Sequence, residues 1–169
     1  MAHFSRATLG LFFVLCTAFV VYAQGANVAF GGLKHDASLP VEITSDELTV
    51  DQGSGSAVFI GNVVASQGEL RLSASRVLVQ RVLVDGQPSG DIDKLVASGG
   101  VTLVNGEEAA EAQDAVYSIT NSEIIMTGDV ILTQGPNALS GEKLTVDLNT
   151  GRGQMTGRVK TIFQTGGNN

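Results

Sequence analysis

A five-residue pattern centred on glycine occurs four times in this chain and limits the folds that it can adopt. The copies are Phe59–Val63, Ala97–Val101, Met126–Val130 and Met155–Val159, and their central glycines are spaced by 38, 29 and 29 residues. Repetition at such a period is typical of folds that stack one supersecondary unit on the next. The first interval is longer by nine residues, which we assign to a polar loop at Asp85–Asp91.

From Val41 onward the sequence has the period of β-strands. Val41, Ile43, Leu48 and Val50 alternate with polar side chains, as expected of a half-buried strand. Seven residues after each of the first three glycines, another glycine follows Gln or Asn, at positions 68, 106 and 135. We predict turns there, because glycine adopts positive φ without steric cost. The chain is therefore predicted to be all-β, an open antiparallel sheet of repeated strand pairs.

When the units are aligned on their glycines, the same columns are apolar in every unit. A strand alternates its side chains between two faces, so these columns are expected to face inward. Columns such as Asp51, Gln80, Ser118 and Asp147 are expected to face solvent. Two readings of the interior are open, a packed core and an apolar groove left by a sheet that curls over. The inward apolar set is Leu48, Val50, Phe59, Val63, Val77, Val79, Val101, Leu103, Tyr117, Met126, Val130, Leu132, Leu144, Val146, Met155 and Val159.

The repeat is incomplete at both ends. It begins with the second half of a unit, at Val41–Asp51, and stops in the first half of another, at Gln164. Each end of the sheet should therefore have an edge strand whose outer backbone N–H and C=O groups are unpaired. Such an edge is either blunted by charge or used for strand addition by a partner, and the sequence leaves both alternatives open.

The N-terminal residues resemble an export signal. Residues 7–22 are apolar and Arg6 precedes them. Val21-Tyr22-Ala23 then places small residues at the two positions that signal peptidase recognises, so we expect cleavage after Ala23. The alternative is a retained membrane anchor. We expect residues 24–39 to be a linker or short docking segment, residues 40–164 a single domain, and residues 165–169 a flexible tail.

Composition argues against several functions. Cys16, the single cysteine, lies in the expected signal, so the mature chain has neither a disulfide nor a thiol nucleophile. Cleavage removes one of ten bases and none of seventeen acids, which changes the net charge from −7 to −8 and argues against nucleic-acid binding.

Groups for catalysis are also scarce. His35 is the only remaining histidine and lies in the expected linker. Asp51 with Asp147, or Glu47 with Asp46, could form an acid pair, and the alternative, which the pattern favours, is that these carboxylates are simply solvated. We therefore predict that the protein is not an enzyme and holds no metal or cofactor.

Several short motifs resemble those of the OstA/LptA family of periplasmic lipopolysaccharide-transport proteins. The first is Pro40–Asp51 followed by Phe59–Val63, Gln67-Gly68 and Ser73–Val77, and the second is Met126–Val130 with Ser140–Asp147. The similarity runs from about Pro40 to Phe163. The copy at Gly99-Gly100-Val101 departs from the Gly-Asn-Val form.

This resemblance implies a twisted, open β-jellyroll that carries lipopolysaccharide through the periplasm from the inner to the outer membrane. It implies that the lipid A acyl chains lie inside the jellyroll, with Val41 and Ile43 at the N-terminal mouth, and from the repeat columns we expect the inward set to form the rest of the lipid site. It further implies head-to-tail self-association. An LptC-like inner-membrane protein would bind the N-terminal edge, and an LptD-like outer-membrane protein the C-terminal edge. An anchored LptC-like subunit and a structural β-repeat protein with a filled core are the alternatives.

Overall fold

The computed structural model describes residues 26–29, 36 and 38–163. The expected signal peptide, the tail and most of the expected linker lie outside these residues. Within them the chain forms strands joined by turns: β1 (Ala26–Ala29), β2 (Glu42–Thr44), β3 (Glu47–Asp51), β4 (Ser56–Gln67), β5 (Leu70–Val84), β6 (Gln87–Asn105), β7 (Glu108–Ser118), β8 (Glu123–Gln134), β9 (Asn137–Asp147), β10 (Arg152–Thr156) and β11 (Lys160–Ile162).

All these strands belong to one antiparallel sheet, as predicted. Its order is β1-β10-β9-β8-β7-β6-β5-β4-β2, with β3 also pairing with β4 and β11 with β9. The predicted turns at Gly68, Gly106 and Gly135 are confirmed, since each lies in the hairpin that joins two successive long strands. The nine additional residues lengthen the β5–β6 hairpin; of the predicted loop Asp85–Asp91, only Asp85 and Gly86 form the turn.

The first three glycines of the repeated pattern have a different role, because they lie within strands. Gly61, Gly99 and Gly128 have φ of 77°, 83° and 86°, and the residue after each also has positive φ. Two successive left-handed residues cannot continue a pleated strand, so the pairing register shifts at each of these positions. The shifts fall side by side across the sheet, so the sheet folds along one line, which we call the bend.

Hydrogen bonds between neighbouring strands follow the bend. Asn62 Nδ2 donates to Asp46 Oδ2 at 2.8 Å, and Ser75 Oγ donates to the Gly99 carbonyl at 2.6 Å. Farther along, Gln113 Nε2 donates to Asp129 Oδ2 at 3.0 Å. Each contact lies where the ladder is interrupted and joins neighbouring segments of the sheet there. At the first of them a backbone bond persists as well, from the Asp46 N–H to the Gly61 carbonyl at 2.9 Å.

The bend divides the sheet into two walls. The first wall holds β2, β11 and the strand halves next to the turns at Gly68, Gly106 and Gly135. The second wall holds β1, β3, β10 and the other halves. The tips of the two walls lie opposite the bend, and we call the opening between them the slit.

Each end of the sheet has an edge strand in both walls. At the N-terminal end these are β2 and β3, in agreement with the sequence. At the other end β11 is the edge of the first wall, while β1 pairs along β10 and becomes the edge of the second wall. β1 belongs to the range expected to be a linker or docking segment. The second wall therefore ends in a strand from the start of the chain, which the repeat did not predict.

Candidate functional site

The space between the walls is lined by the columns predicted to face inward. Their side chains are buried from Val63 in β4 to Met155 in β10, and most of them are completely inaccessible. Val41, Ile43, Phe59 and Val159 are partly buried against this cluster. The buried members of the predicted set are Val63, Val77, Val79, Val101, Leu103, Tyr117, Met126, Val130, Leu132, Leu144, Val146 and Met155.

Leu48 and Val50 differ from the rest of the predicted set. They pair with Phe59 and Ala57 and so share the inward face of the second wall. Their side chains are nevertheless 53% and 58% exposed. They therefore lie on the predicted inward face, but in β3 that face is open to solvent.

The reason is that the two walls are offset along the sheet. Tyr117 in the second wall donates a hydrogen bond from Oη to Gln67 Oε1 in the first wall, at 2.7 Å. Tyr117 is in β7 and Gln67 in β4, and two strands separate them in the sheet. At about 4.8 Å per strand, the facing partners are displaced by roughly 14 Å. The first strands of the second wall therefore have no first wall opposite them.

This offset leaves an uncovered apolar ledge, formed by Leu48, Val50 and the partly buried Phe59, at the N-terminal end. At the other end, Phe163 follows β11 of the first wall and is 71% exposed. The interior is therefore open to solvent at both ends of the sheet. The second wall projects at the N-terminal end, and the first wall projects at the other end.

Between the ends the walls are closed on each other. A cavity of about 10 Å³ beside Tyr117 is lined by Ala65, Leu70 and Leu72 of the first wall and by Leu95 of the second. That volume is about the minimum that one water requires. The interior of this structure is thus a packed core, and an acyl chain fits only if the walls separate.

Gln67 is a site residue that the predicted set omitted. It is buried, and its Nε2 donates to the Leu39 carbonyl at 2.7 Å. Asn105 and Gln134 occupy the same repeat position, one residue before the turn glycine. Alternation along β4 could have indicated Gln67, because Val63, Ala65 and Gln67 are successive inward-facing residues that lead up to the turn. A row of polar side chains, these three amides and Glu108 between Asn105 and Gln134, therefore ends the inward face of the first wall at the slit.

The acid pair considered for Asp51 and Asp147 does not exist. Asp51 is in β3 and Asp147 in β9, at opposite ends of the sheet. Asp51 Oδ1 accepts hydrogen bonds from the backbone N–H groups of Ser54 and Gly53, and Asp147 Oδ1 accepts them from those of Thr150 and Asn149. These bonds lower the pKa of both carboxyls below 3.8.

Ser118 in β7 occupies the same repeat position as Asp51 and Asp147, and its side chain also accepts a hydrogen bond from its own turn. Its Oγ accepts a hydrogen bond from the backbone N–H of Asn121 at 3.3 Å. Contrary to the prediction of a solvent-facing column, Ser118 is buried. Asp51, Ser118 and Asp147 therefore cap hairpin turns, as Asp and Ser side chains commonly do, while Gln80 of the same column lies inside β5.

The interior is apolar except at the slit, where the inward-facing Glu108 accepts a hydrogen bond from Gln134 Nε2 at 2.9 Å. Burial raises the pKa of Tyr117 to about 12, so its hydroxyl remains protonated and donates to Gln67 at physiological pH. Across the described residues, no three His, Cys, Asp or Glu side chains are grouped as a metal site requires. In the same part of the chain, no helix is long and apolar enough to cross a membrane.

Comparison with known proteins agrees with this architecture. A family profile described as "LptA/(LptD N-terminal domain) LPS transport protein" matches residues 42–152. An uncharacterized protein of Rhizobium meliloti is 31% identical over 82% of this chain and 78% of its own length. Lipopolysaccharide export system protein LptA of Escherichia coli K12 is 27% identical over 84% of this chain and 76% of its own length.

A solved structure has the same fold. The crystal structure of LptH of Pseudomonas aeruginosa is described as the LptA-homologous periplasmic component of a lipopolysaccharide transport device. It superposes with a TM-score of 0.68 at 18% sequence identity, covering 77% of this chain and 99% of LptH.

Proposed function

Because this chain belongs to the LptA/LptD N-terminal-domain family of lipopolysaccharide transport proteins, we infer that it is a non-enzymatic periplasmic carrier of lipopolysaccharide. The acyl chains of lipid A occupy the space between the walls, on the inward set that begins with Val41 and Ile43 at the N-terminal mouth. The observation that carries this function is the continuous apolar interior, which runs from an exposed ledge at β3 to Met155 in β10.

The energetics favour an acyl ligand although the interior is packed without one. Transfer of about 12 methylenes from water, at roughly 0.8 kcal/mol each, contributes on the order of 10 kcal/mol. When the lipid binds, contacts between the side chains of the two walls are replaced by contacts with the lipid. The wall side chains therefore remain out of water. The main opposing cost is then the separation of the two walls, which is spread over weak apolar contacts.

The protein's negative charge does not prevent this binding. Most of its acidic residues lie on the outer face and in turns, among them Asp51, Asp114 and Asp147, which are exposed. Glu108 is an inward-facing exception at the slit, where it accepts a hydrogen bond from Gln134 Nε2 at 2.9 Å. Repulsion between such carboxylates and lipid phosphates is screened beyond about 8 Å at physiological ionic strength. Burial of the acyl chains therefore outweighs this repulsion.

Adjacent residues on β4 provide a matched test of interior binding. Phe59 points to the interior side, and Ile60 points outward with 40% exposure. A photoreactive phenylalanine analogue at either position, irradiated with purified lipopolysaccharide, should yield a lipid adduct from position 59 and little from position 60. Equal labelling at both positions would contradict binding between the walls.

Mutation of the same region provides a second test. Phe59→Asp places a carboxylate on the ledge and should abolish lipopolysaccharide binding, while Thr49→Asp, on the outer face of β3, should leave binding unchanged. Organic extraction of the native protein followed by mass spectrometry identifies the bound amphiphile. Absence of any bound amphiphile would favour a structural β-repeat protein with a filled core.

Head-to-tail association is part of the proposed function, and the offset of the walls supports it. The ledge at Leu48 and Val50 lacks a facing first wall, and the first wall extends to β11 and Phe163 at the other end. A second copy at the N-terminal end would cover the ledge and pair with β2 and β3. The same two ends would receive the LptC-like and LptD-like partners.

The proposed location requires export. We assign residues 1–23 to a cleaved signal peptide, residues 40–164 to the carrier domain and residues 165–169 to a tail. N-terminal sequencing of the mature protein should give a start near Gln24. A start at Met1 would instead indicate an anchored, LptC-like subunit.

A further inference from the structure

We propose that the hydrogen bond between Tyr117 and Gln67 is a latch that holds the slit closed in the empty protein and must open for an acyl chain to enter. This inference rests on the proposed function and specifies where the walls separate. Tyr117 belongs to the second wall and Gln67 to the first, and their bond spans the slit at 2.7 Å.

The position of this bond suits a latch. Gln67 is the last residue of β4 before its hairpin turn, and Tyr117 is next to the last residue of β7, so both lie at the tips of their walls. The bend holds the opposite side of the sheet through continuous backbone, so the walls can separate only at the slit. A bond at the slit therefore opposes opening, whereas one at the bend would not.

Gln67 also forms a hydrogen bond with a third segment, the residues that precede β2. Its Nε2 donates to the Leu39 carbonyl, and Leu39 lies in the segment that leads into β2. Leu39 and Val41 there border a surface depression together with Ile92 and Ile119 of the second wall. One side chain thus joins the tip of the first wall, the tip of the second wall and the segment that crosses the slit at its N-terminal end.

The chemistry of the latch permits reversal. The bonds are formed by a neutral phenol, a neutral amide and a backbone carbonyl, so no buried charge is left behind when they break. Beyond the latch the interior is apolar, with Leu70, Leu72 and Leu95 surrounding the small cavity next to the phenol ring. An acyl chain that enters at this point meets only apolar side chains once the hydroxyl has moved aside.

Tyr117→Phe tests the latch, because it removes the hydroxyl and keeps the ring. The probe is a dansyl-labelled fatty acid, and its fluorescence on mixing with the full mature protein gives association rate and affinity. If opening precedes binding, both should rise by about three- to tenfold, the factor that one net hydrogen bond represents. Thr133→Val removes an exposed hydroxyl from the outer face of β8 and should change neither quantity.

A double-mutant cycle separates the latch from other roles of the two side chains. Gln67→Leu should accelerate uptake at least as much as Tyr117→Phe, and Tyr117→Phe in the Gln67→Leu background should have no additional effect. Additive effects would show that the residues act independently. An affinity that falls in Tyr117→Phe would indicate that the hydroxyl contacts the ligand, and would overturn the latch.

A crosslink provides the opposite perturbation in one protein sample. The expected mature chain contains no cysteine, so Gln67→Cys with Tyr117→Cys gives a single thiol pair that a short bis-maleimide can bridge across the slit. Uptake should be fast before bridging and lost after it. Uptake that persists after bridging, in a chain whose wild type takes up the probe, contradicts the latch alone. A wild-type chain that takes up neither this probe nor lipopolysaccharide contradicts the proposed function instead.

Discussion

At the scale of single residues, the glycines of the repeat are needed for their backbone conformation. Gly128 has a φ of 86°, and a Cβ added there would lie 2.8 Å from Gln113 Cβ. Gly106 has a φ of 57°, with no atom within 4 Å of an added Cβ. Both require a left-handed backbone, but only Gly128 also lies against a neighbouring strand. The bend therefore tolerates substitution less well than the hairpin turns.

We expect Gly128→Ala to lower the free energy of unfolding by about 1–3 kcal/mol, the usual cost of a strained left-handed residue. Gly106→Asn is the control and should stay within about 0.5 kcal/mol of the wild type, since asparagine tolerates this conformation. Urea unfolding followed by circular dichroism measures both. Equal midpoints for the two variants would show that crowding at the bend is unimportant.

Tyr117 should make stability depend on alkaline pH. Its pKa is raised from 10.0 to about 12 in the folded chain, so above pH 10 the unfolded chain releases a proton that the folded chain retains. The contribution of Tyr117 is complete below pH 10 and decreases as the pH rises toward 12. Urea midpoints measured across this range should fall for the wild type, and the part due to Tyr117 should be absent in Tyr117→Phe.

Asp147 should act at the opposite end of the pH scale. Backbone N–H groups of its own turn hold the pKa of this carboxyl below 3.8, so its contribution is present above pH 3.8. That contribution is lost as the pH falls through the lowered pKa. Asp147→Asn keeps an acceptor oxygen but does not titrate, so the difference in urea midpoint between variant and wild type should shrink in acid. A constant difference would contradict the capping role.

At the scale of strands, equivalent positions of the repeat differ in exposure. Val50 in β3 and Val146 in β9 belong to one column, but Val50 is 58% exposed and Val146 is fully buried. Strand β3 has a neighbour on one side only and no wall facing it, while β9 lies between β8 and β10. The same residue type therefore serves packing in β9 and is available for contact in β3.

We expect Val146→Asp to destabilise the fold by more than about 3 kcal/mol, because it buries an unpaired carboxylate. Val50→Asp should change stability by less than about 0.5 kcal/mol, as is usual for exposed sites. Thermal unfolding of the two variants compares them directly. A severe loss of stability in Val50→Asp would mean that the ledge is covered within the monomer.

At the scale of the whole molecule, the two ends of the sheet are different surfaces. The N-terminal end presents the ledge with β2 and β3, and the other end presents β1, β11 and Phe163. An association that joins unlike surfaces can continue from copy to copy, whereas an association of like surfaces stops at a dimer. The wild type should therefore form a concentration-dependent series of species.

Two variants that each block one end test this directly. Val50→Asp should disable the N-terminal end and Phe163→Asp the other, so each variant alone should sediment as a monomer. An equimolar mixture should form dimers and nothing larger, because one intact surface of each kind remains. Sedimentation velocity distinguishes these outcomes. A mixture that stays monomeric, or a single variant that still forms long species, would contradict head-to-tail association.

The sequence by itself determined the strand content, the antiparallel hairpins, the turns at Gly68, Gly106 and Gly135, and the face on which each apolar column lies. These features are local, because strand alternation and turn chemistry depend on a few consecutive residues. The tertiary structure decided that Gly61, Gly99 and Gly128 bend strands, that β1 completes the far edge, and that Leu48 and Val50 are uncovered. It also placed Tyr117 against Gln67, 50 residues away. The offset that brings those two together is a property of the folded sheet as a whole, since strand twist accumulates from one strand to the next, and no single repeat unit contains it.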